Sequence, residues 1–160
     1  MSEQYLALIP AAGVGSRAKL KMAKQFTAIG SKTIIEYALD PFLLDENCKK
    51  ICVVTQEDNE AWTSLSISGH EKIVSCIGGD TRMESVLRGL ELLMESEDKG
   101  SLVAIHDAAR PNFSINLLKK ITKNLKKNKA VVPVILSRDS IKYKIKNQIF
   151  NLKRKNSFLT

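Results

Sequence analysis

A chain of 160 residues suits one domain and can bury roughly two thirds of the surface its unfolded form exposes. Hydrophobic residues make up 44% and charged residues 26%, and no apolar run approaches the roughly 18 residues of a membrane-spanning helix, so a soluble protein with no membrane partner is expected. The net charge of +8 is lopsided, because Lys119 to Thr160 carries 13 of the 25 basic residues against one acid, Asp139, which leaves the first 118 residues at 12 minus 16, or −4. That basic third lacks interleaved aromatics and any recognisable module, and reads as a solvated lysine-rich face with some phosphate-binding residues rather than a nucleic-acid interface.

Met1 to Tyr5 is polar and leads straight into an apolar strand, without the pattern of a signal or transit segment, so a cytoplasmic address is expected. Short apolar runs at Tyr5–Pro10, Ile51–Thr55, Ile73–Ile77, Leu102–His106 and Ala130–Leu136 read as strands. Between them lie helix candidates. Thr33–Leu44 sets Ile34, Ile35, Ala38, Leu39 and Phe42 on one stripe, Arg82–Glu95 does the same with Val86, Leu87, Leu90 and Leu93, and Ile115–Leu125 is a third. Strands separated by helices of this length imply βαβ crossovers and an α/β fold: three layers, α/β/α, around a mainly parallel, Rossmann-like sheet whose ligands sit beyond the carboxyl ends of its strands. From Ser137 the pattern changes to two polar alternating runs, Ser140–Ile145 and Ile149–Arg154, joined by Lys146-Asn147-Gln148. These predict a protruding β-hairpin arm that leans on another surface, a second subunit being the natural one. The expected organisation is a nucleotide-binding domain over residues 1–136, the arm over 137–156, and the start of a further C-terminal segment at 157–160. Cys48, Cys52 and Cys76 form no CxxC pair and read as reduced, semi-buried thiols, and with only His70 and His106 a zinc site is short of ligands.

Three segments carry chemistry, each just past a strand. Ile9-Pro10-Ala11-Ala12-Gly13-Val14-Gly15-Ser16-Arg17 combines small residues, which let backbone N–H groups approach phosphate oxygens, with a bidentate cation in Arg17. It lacks the third glycine of a dinucleotide fingerprint and the GK[ST] of a P-loop. Lys24, seven residues on, adds a point charge with the reach of β- and γ-phosphates. The second segment, Gly78 to Val86, joins a glycine pair and Asp80 to a helix N-terminus, which favours a polar or anionic ligand but is also compatible with an ordinary capped turn. In the third, Ile105 to Pro111, Asp107 stands where it can hold Mg²⁺ and Ala108 and Ala109 leave room for a ligand. Arg110 either serves that ligand or is locked in an ion pair with Asp107 or Asp80, and His106 reads as a packing residue.

AAGxGxR with KQF, GGDxR with SV, HDAARP and RDSIK occur in this one order. Together they resemble the 2-C-methyl-D-erythritol 4-phosphate cytidylyltransferase family of the non-mevalonate isoprenoid pathway, over essentially the whole chain. The resemblance implies attack by the substrate's phosphate on the α-phosphorus of CTP, dependent on Mg²⁺ or another divalent cation, with release of pyrophosphate and no covalent enzyme intermediate. It implies that Arg17, Lys24 and Arg154 are catalytic. Pro10, Ala11, Ala12, Gly13, Gly15, Gly79, Asp80, Ser85 and Ala108 would hold the nucleotide. Asp107 would bind the metal and the polyol hydroxyls, helped by Arg110, and Ser140 and Arg154 would grip the polyol phosphate across a homodimer formed through the arm. Rivals are transfer to ribitol 5-phosphate or another sugar phosphate, and a catalytically silent nucleotide-binding module. The chain departs from the family pattern at Ala23, where a proline is usual, at Ser140, where threonine is usual, and after Thr160, where family members continue through a QTPQ-like segment to a further lysine.

Overall fold

The period-2 alternation of the apolar runs decides the central sheet. In β1 (Tyr5–Pro10) the side chains of Tyr5, Ala7 and Ile9 enter one core cluster, and those of Leu6 and Leu8 enter another on the opposite face. β4 (Cys48–Thr55) divides likewise, Ile51 and Val53 to the first cluster, Cys52 and Val54 to the second. With β5 (Ile73–Ile77) and β6 (Leu102–Ile105) they form a parallel four-stranded sheet in the order β5-β4-β1-β6, whose central strands β1 and β4 are buried on both faces. The structure is a computed structural model that describes residues 4–13, 23–96, 101–125, 130–136, 141–151 and 158–159.

One face of the sheet is covered by α1 (Ile34–Leu43) through Ile35, Leu39 and Phe42, by Trp62 of the short α2 (Glu60–Thr63), and by Leu118 of α4 (Ile115–Leu125). The other is covered by α3 (Arg82–Ser96) through Val86, Leu90 and Leu93. The α/β architecture, helices on both faces of a parallel sheet, is the one expected. Truncating any of the fully buried side chains among these, Leu39 or Phe42 for example, costs about 2–5 kcal/mol. α1 starts at Thr33 because that residue forms a capping box: the Thr33 backbone N–H donates to Glu36 Oε2 at 2.7 Å, and Glu36 N donates to Thr33 Oγ1 at 3.4 Å. Between β1 and α1 the chain makes a 3₁₀ turn over Lys24–Phe26 and a small antiparallel ladder of β2 (Ala28–Ile29) and β3 (Lys32–Thr33).

Several ends differ from the sequence reading by one residue, at β6, α1 and α3, and two elements differ by more. β4 begins at Cys48 rather than Ile51, because buried Cys48 pairs with Tyr5 while Lys49 and Lys50 obscure the alternation. The run Ala130–Leu136 is not a strand of the main sheet. Only β7 (Ile135–Leu136) is extended in register with a partner, antiparallel to β10 (Phe158–Leu159), because Pro133 interrupts the run and has no N–H for a ladder.

Compactness divides the chain into Met1–Leu118 and Lys119–Thr160, ahead of the change of pattern at Ser137. The second unit contains the β7–β10 pair and a hairpin of β8 (Lys142–Ile145) and β9 (Gln148–Asn151). Its turn is the two residues Lys146 and Asn147, with Lys146 at φ +52°, so Gln148 belongs to the strand rather than to the connection. Tyr143 and Phe150 stack across the hairpin with ring centroids 5.4 Å apart. Among the described residues no helix is long and apolar enough to cross a membrane.

Candidate active site

The four parallel strands end on one rim, and the strand order reverses there: the chain steps outward from β1 to β4 and β5, then returns to the far side of β1 with β6. Such a switch point leaves a crevice beyond the carboxyl ends of the strands. A cleft of about 1020 Å³ opens at it, at the upper end of the range for small-molecule sites. Residues 10–13 line it after β1, Lys24 and Gln25 from the 3₁₀ turn, Gln56 and Glu57 after β4, residues 77–82 and Ser85 after β5, and residues 107–110 after β6.

The first loop leaves the sheet at Ala11, whose N–H still donates to Val54 O at 2.7 Å. Gln25, only 5% exposed, then reaches back with Nε2 to Ala11 O at 2.6 Å and Gly13 O at 3.0 Å. A Cβ added at Gly13 meets nothing within 4 Å. Packing among the described residues therefore does not require glycine there. Lys24 is exposed on the cleft side of the turn while its neighbours Gln25 and Phe26 are buried. Gly15 and Arg17 lie outside the described residues, as do Ser140 and Arg154.

The second turn is built differently. Glu84 Oε2 accepts from the N–H of Asp80 at 2.8 Å and of Thr81 at 3.3 Å, and Glu84 N donates to Thr81 Oγ1 at 3.1 Å. This is a capping arrangement that supplies the helix N-terminus with a carboxylate from the chain itself. Of the two readings the sequence left open for this segment, the capped turn accounts for two of its amides, those of Asp80 and Thr81. Ser85, 3% exposed, accepts from Gly79 N at 3.2 Å, and Arg88 donates from Nη1 to Gly78 O at 2.7 Å. A Cβ at Gly78 would stand 2.6 Å from Ala12 Cβ and 2.7 Å from Ser85 Oγ, and one at Gly79 would collide with Glu84. Asp80, Thr81 and Arg82 are exposed and line the cleft at this turn.

In the third cluster Asp107 joins two arginines. Arg82 Nη2 lies 2.7 Å from Asp107 Oδ1, and Arg110 Nε lies 3.0 Å from Asp107 Oδ2. Both guanidinium groups are more than half exposed, so each pair contributes only about 0.2–1 kcal/mol and is readily exchanged for a ligand. His106 packs, as its sequence context suggested: its ring stacks on Phe113 at 4.5 Å and its Nε2 is 3.0 Å from Arg110 O. Burial lowers its pKa from the ordinary value of 6.5, which keeps the ring neutral.

The family model for 2-C-methyl-D-erythritol 4-phosphate cytidylyltransferase matches residues 5–158. The chain belongs to this family. A cytidylyltransferase of that name from Buchnera aphidicola subsp. Acyrthosiphon pisum is 39% identical over 159 residues, which are 96% of this chain and 65% of the Buchnera protein. The protein named bifunctional enzyme IspD/IspF from Pelagibacter ubique is 34% identical over 95% of this chain and 40% of its own length. The chain thus spans about two thirds of the first relative and well under half of the second. Among solved structures, that of the Francisella tularensis 2-C-methyl-D-erythritol 4-phosphate cytidylyltransferase superposes with a TM-score of 0.80 at 29% identity, covering 98% of this chain and 69% of that one.

For a cytidylyltransferase-family cleft the charge balance is informative. The described lining residues hold three cations, Lys24, Arg82 and Arg110, and three acids, Glu57, Asp80 and Asp107. Two of the cations are paired with Asp107, so Lys24 is the cation most available to a triphosphate among the described residues. No group of three His, Cys, Asp or Glu able to hold a metal occurs among the described residues. The metal expected on Asp107 meets a carboxylate whose two oxygens both carry guanidinium contacts. These residues fit a divalent cation carried mainly by substrate phosphates, which needs only one or two protein carboxylates. Gln25, Gln56, Glu57, Arg82, Glu84 and Arg88 were not singled out as site residues in the sequence. Gln25 stands in the KQF motif and Arg82 in GGDxR, but Gln56 and Glu57 carry no signal beyond following a strand.

Proposed function

We propose that this chain transfers CMP from CTP to the phosphate of 2-C-methyl-D-erythritol 4-phosphate, releasing pyrophosphate and forming the CDP-linked polyol. The observation that carries this reading is Lys24, without an ion-pair partner among the described residues, beside a small-residue loop at the switch point of a family member's sheet, where Arg82 from the end of β5 and Arg110 from the end of β6 meet on Asp107. In the reaction a phosphate oxygen of the polyol forms a bond to the α-phosphorus, and the bond from that phosphorus to the bridging oxygen of pyrophosphate breaks. Positioning and charge neutralisation suffice for such a transfer. Lys24 and Arg17 neutralise the charge on the α-phosphate and leaving pyrophosphate. Ala11, Ala12 and Gly13 admit the phosphates, and Gly79, Asp80, Ser85 and Ala108 line the nucleotide's place. Asp107 accepts polyol hydroxyls in exchange for one of its arginines, with Arg110, Ser140 and Arg154 on the polyol phosphate. A divalent cation such as Mg²⁺ would supply further neutralisation of the triphosphate, with Asp107 the residue that would hold it. A homodimer through the β8–β9 arm and a cytoplasmic setting belong to the same reading.

The test is pyrophosphate release from CTP and Mg²⁺ with methylerythritol phosphate or ribitol 5-phosphate supplied separately. Release with methylerythritol phosphate alone supports the proposal. Release with ribitol 5-phosphate alone replaces the acceptor, and tight CTP binding without turnover on either acceptor replaces transfer by nucleotide binding.

A further inference from the structure

We propose that Gln25 is the positioning residue that sets Lys24 against the nucleotide loop, a role that rests on the transfer reading above. The three side chains of the 3₁₀ turn diverge: Phe26 enters the core, Gln25 is buried beneath the loop, and Lys24 alone stays exposed at the cleft. Both amide protons of Gln25 are spent on one stretch of backbone, at 2.6 Å to Ala11 O and 3.0 Å to Gly13 O. Two carbonyls separated by a single residue thus converge on one nitrogen, which fixes the shape of the loop at Ala12. Adjacent Cα atoms are about 3.8 Å apart, so the bonds that hold Gln25 also hold the backbone of Lys24 at a set offset from the loop.

The chemistry selects glutamine. The site needs two donors on one atom, uncharged, at the end of a two-carbon stem. Asparagine has the donors but is one methylene short. Glutamate offers only acceptors to two carbonyl oxygens when ionised, and one donor when protonated. Methionine fills a similar volume with no donor at all. Thr27 N caps back on Lys24 O within the turn, and Phe26 enters the core cluster that also holds Ala11, so the hydrogen bonds joining the turn to the loop among the described contacts are those of Gln25.

The test uses the full chain and four variants, Gln25→Met, Gln25→Glu, Lys24→Ala and Lys24→Ala with Gln25→Met, reading CTP affinity by calorimetry with Mg²⁺ and melting temperature alongside. Losing a buried partner for two carbonyls weakens CTP binding about tenfold or more in Gln25→Met. If Gln25 acts through Lys24, the same substitution costs much less in the Lys24→Ala background, the non-additivity expected of coupled residues. Gln25→Glu regains affinity relative to wild type as pH falls from 8 to 5.5, because protonation restores one donor. Equal losses from Gln25→Met in both backgrounds, or a Gln25→Glu deficit independent of pH, overturn the inference while leaving wild-type CTP binding intact. Absence of CTP binding by the wild type overturns the transfer reading and this inference together.

Discussion

The loop after β1 and the turn after β5 face the same cleft and look alike in sequence, small residues and glycine following a strand, yet they are built for opposite purposes. At Gly13 a side chain would meet no atom of the described residues, and the loop is held from outside by Gln25. At Gly78 and Gly79 a side chain would find Ala12, Ser85 and Glu84 already in place, and the turn's amides are satisfied by its own Glu84 and Ser85. Glycine in the first case meets no described atom of the protein. In the second it lets protein pack on protein. A glycine-rich stretch past a strand is therefore not one signal but two, and only the surroundings of the missing Cβ tell them apart.

The largest effect expected from this contrast is at the open loop. Lys24→Ala should lower turnover by about 10² to 10³ while leaving the melting temperature near that of the parent, the loss typical of one preorganised donor to developing charge. Turnover within tenfold of the parent would reduce Lys24 to a surface cation. Gly78→Ala should act on the fold instead, costing about 1–3 kcal/mol in urea unfolding because the new methyl meets Ala12 and Ser85. Gly13→Ala should show the converse, with stability unchanged within about 0.5 kcal/mol and CTP affinity about tenfold weaker. Equal destabilisation at both glycines would abolish the distinction. Glu84→Ala should cost about 0.5–2 kcal/mol through loss of the cap, with a smaller loss for Glu84→Gln, which retains one acceptor.

The smallest expected effect is a pH dependence at the third strand end. Burial holds the folded-state pKa of His106 below its ordinary 6.5, so the unfolded chain takes up the proton first. The stability His106 contributes is complete above pH 6.5 and is lost as pH falls through the depressed folded value. Urea midpoints between pH 7.5 and 5.5 should decline, and His106→Phe, which keeps an aromatic against Phe113, should flatten that decline.

How much of this was legible in the sequence follows from what kind of interaction each feature uses. The strands at Tyr5–Pro10 and Ile73–Ile77 and the helix Ile115–Leu125 were readable to the residue, since side-chain alternation and helical stripes are what burial on two faces of a sheet demands. Ala130–Leu136 was apolar enough to resemble them, and Pro133 was the residue to weigh more heavily. The cleft was foreseeable because each motif ends a parallel strand. Its supports were not: Gln25, Glu84 and Arg88 act through side-chain bonds to backbone atoms, which leave no periodic trace. The pairing of Arg82 with Asp107 joins residues 25 apart in the chain, a contact that only the return of β6 to β1 creates.

Trp62, the only tryptophan of the chain, is 3% exposed, donates from Nε1 to Ser75 Oγ at 3.0 Å, and is not among the residues lining the cleft. Its emission should be short in wavelength in the folded protein and shift to the red when β5 and α2 come apart. The molecule thus carries an intrinsic fluorophore that watches its scaffold and not its ligand, so that unfolding and nucleotide binding can be followed in one sample as separate optical events.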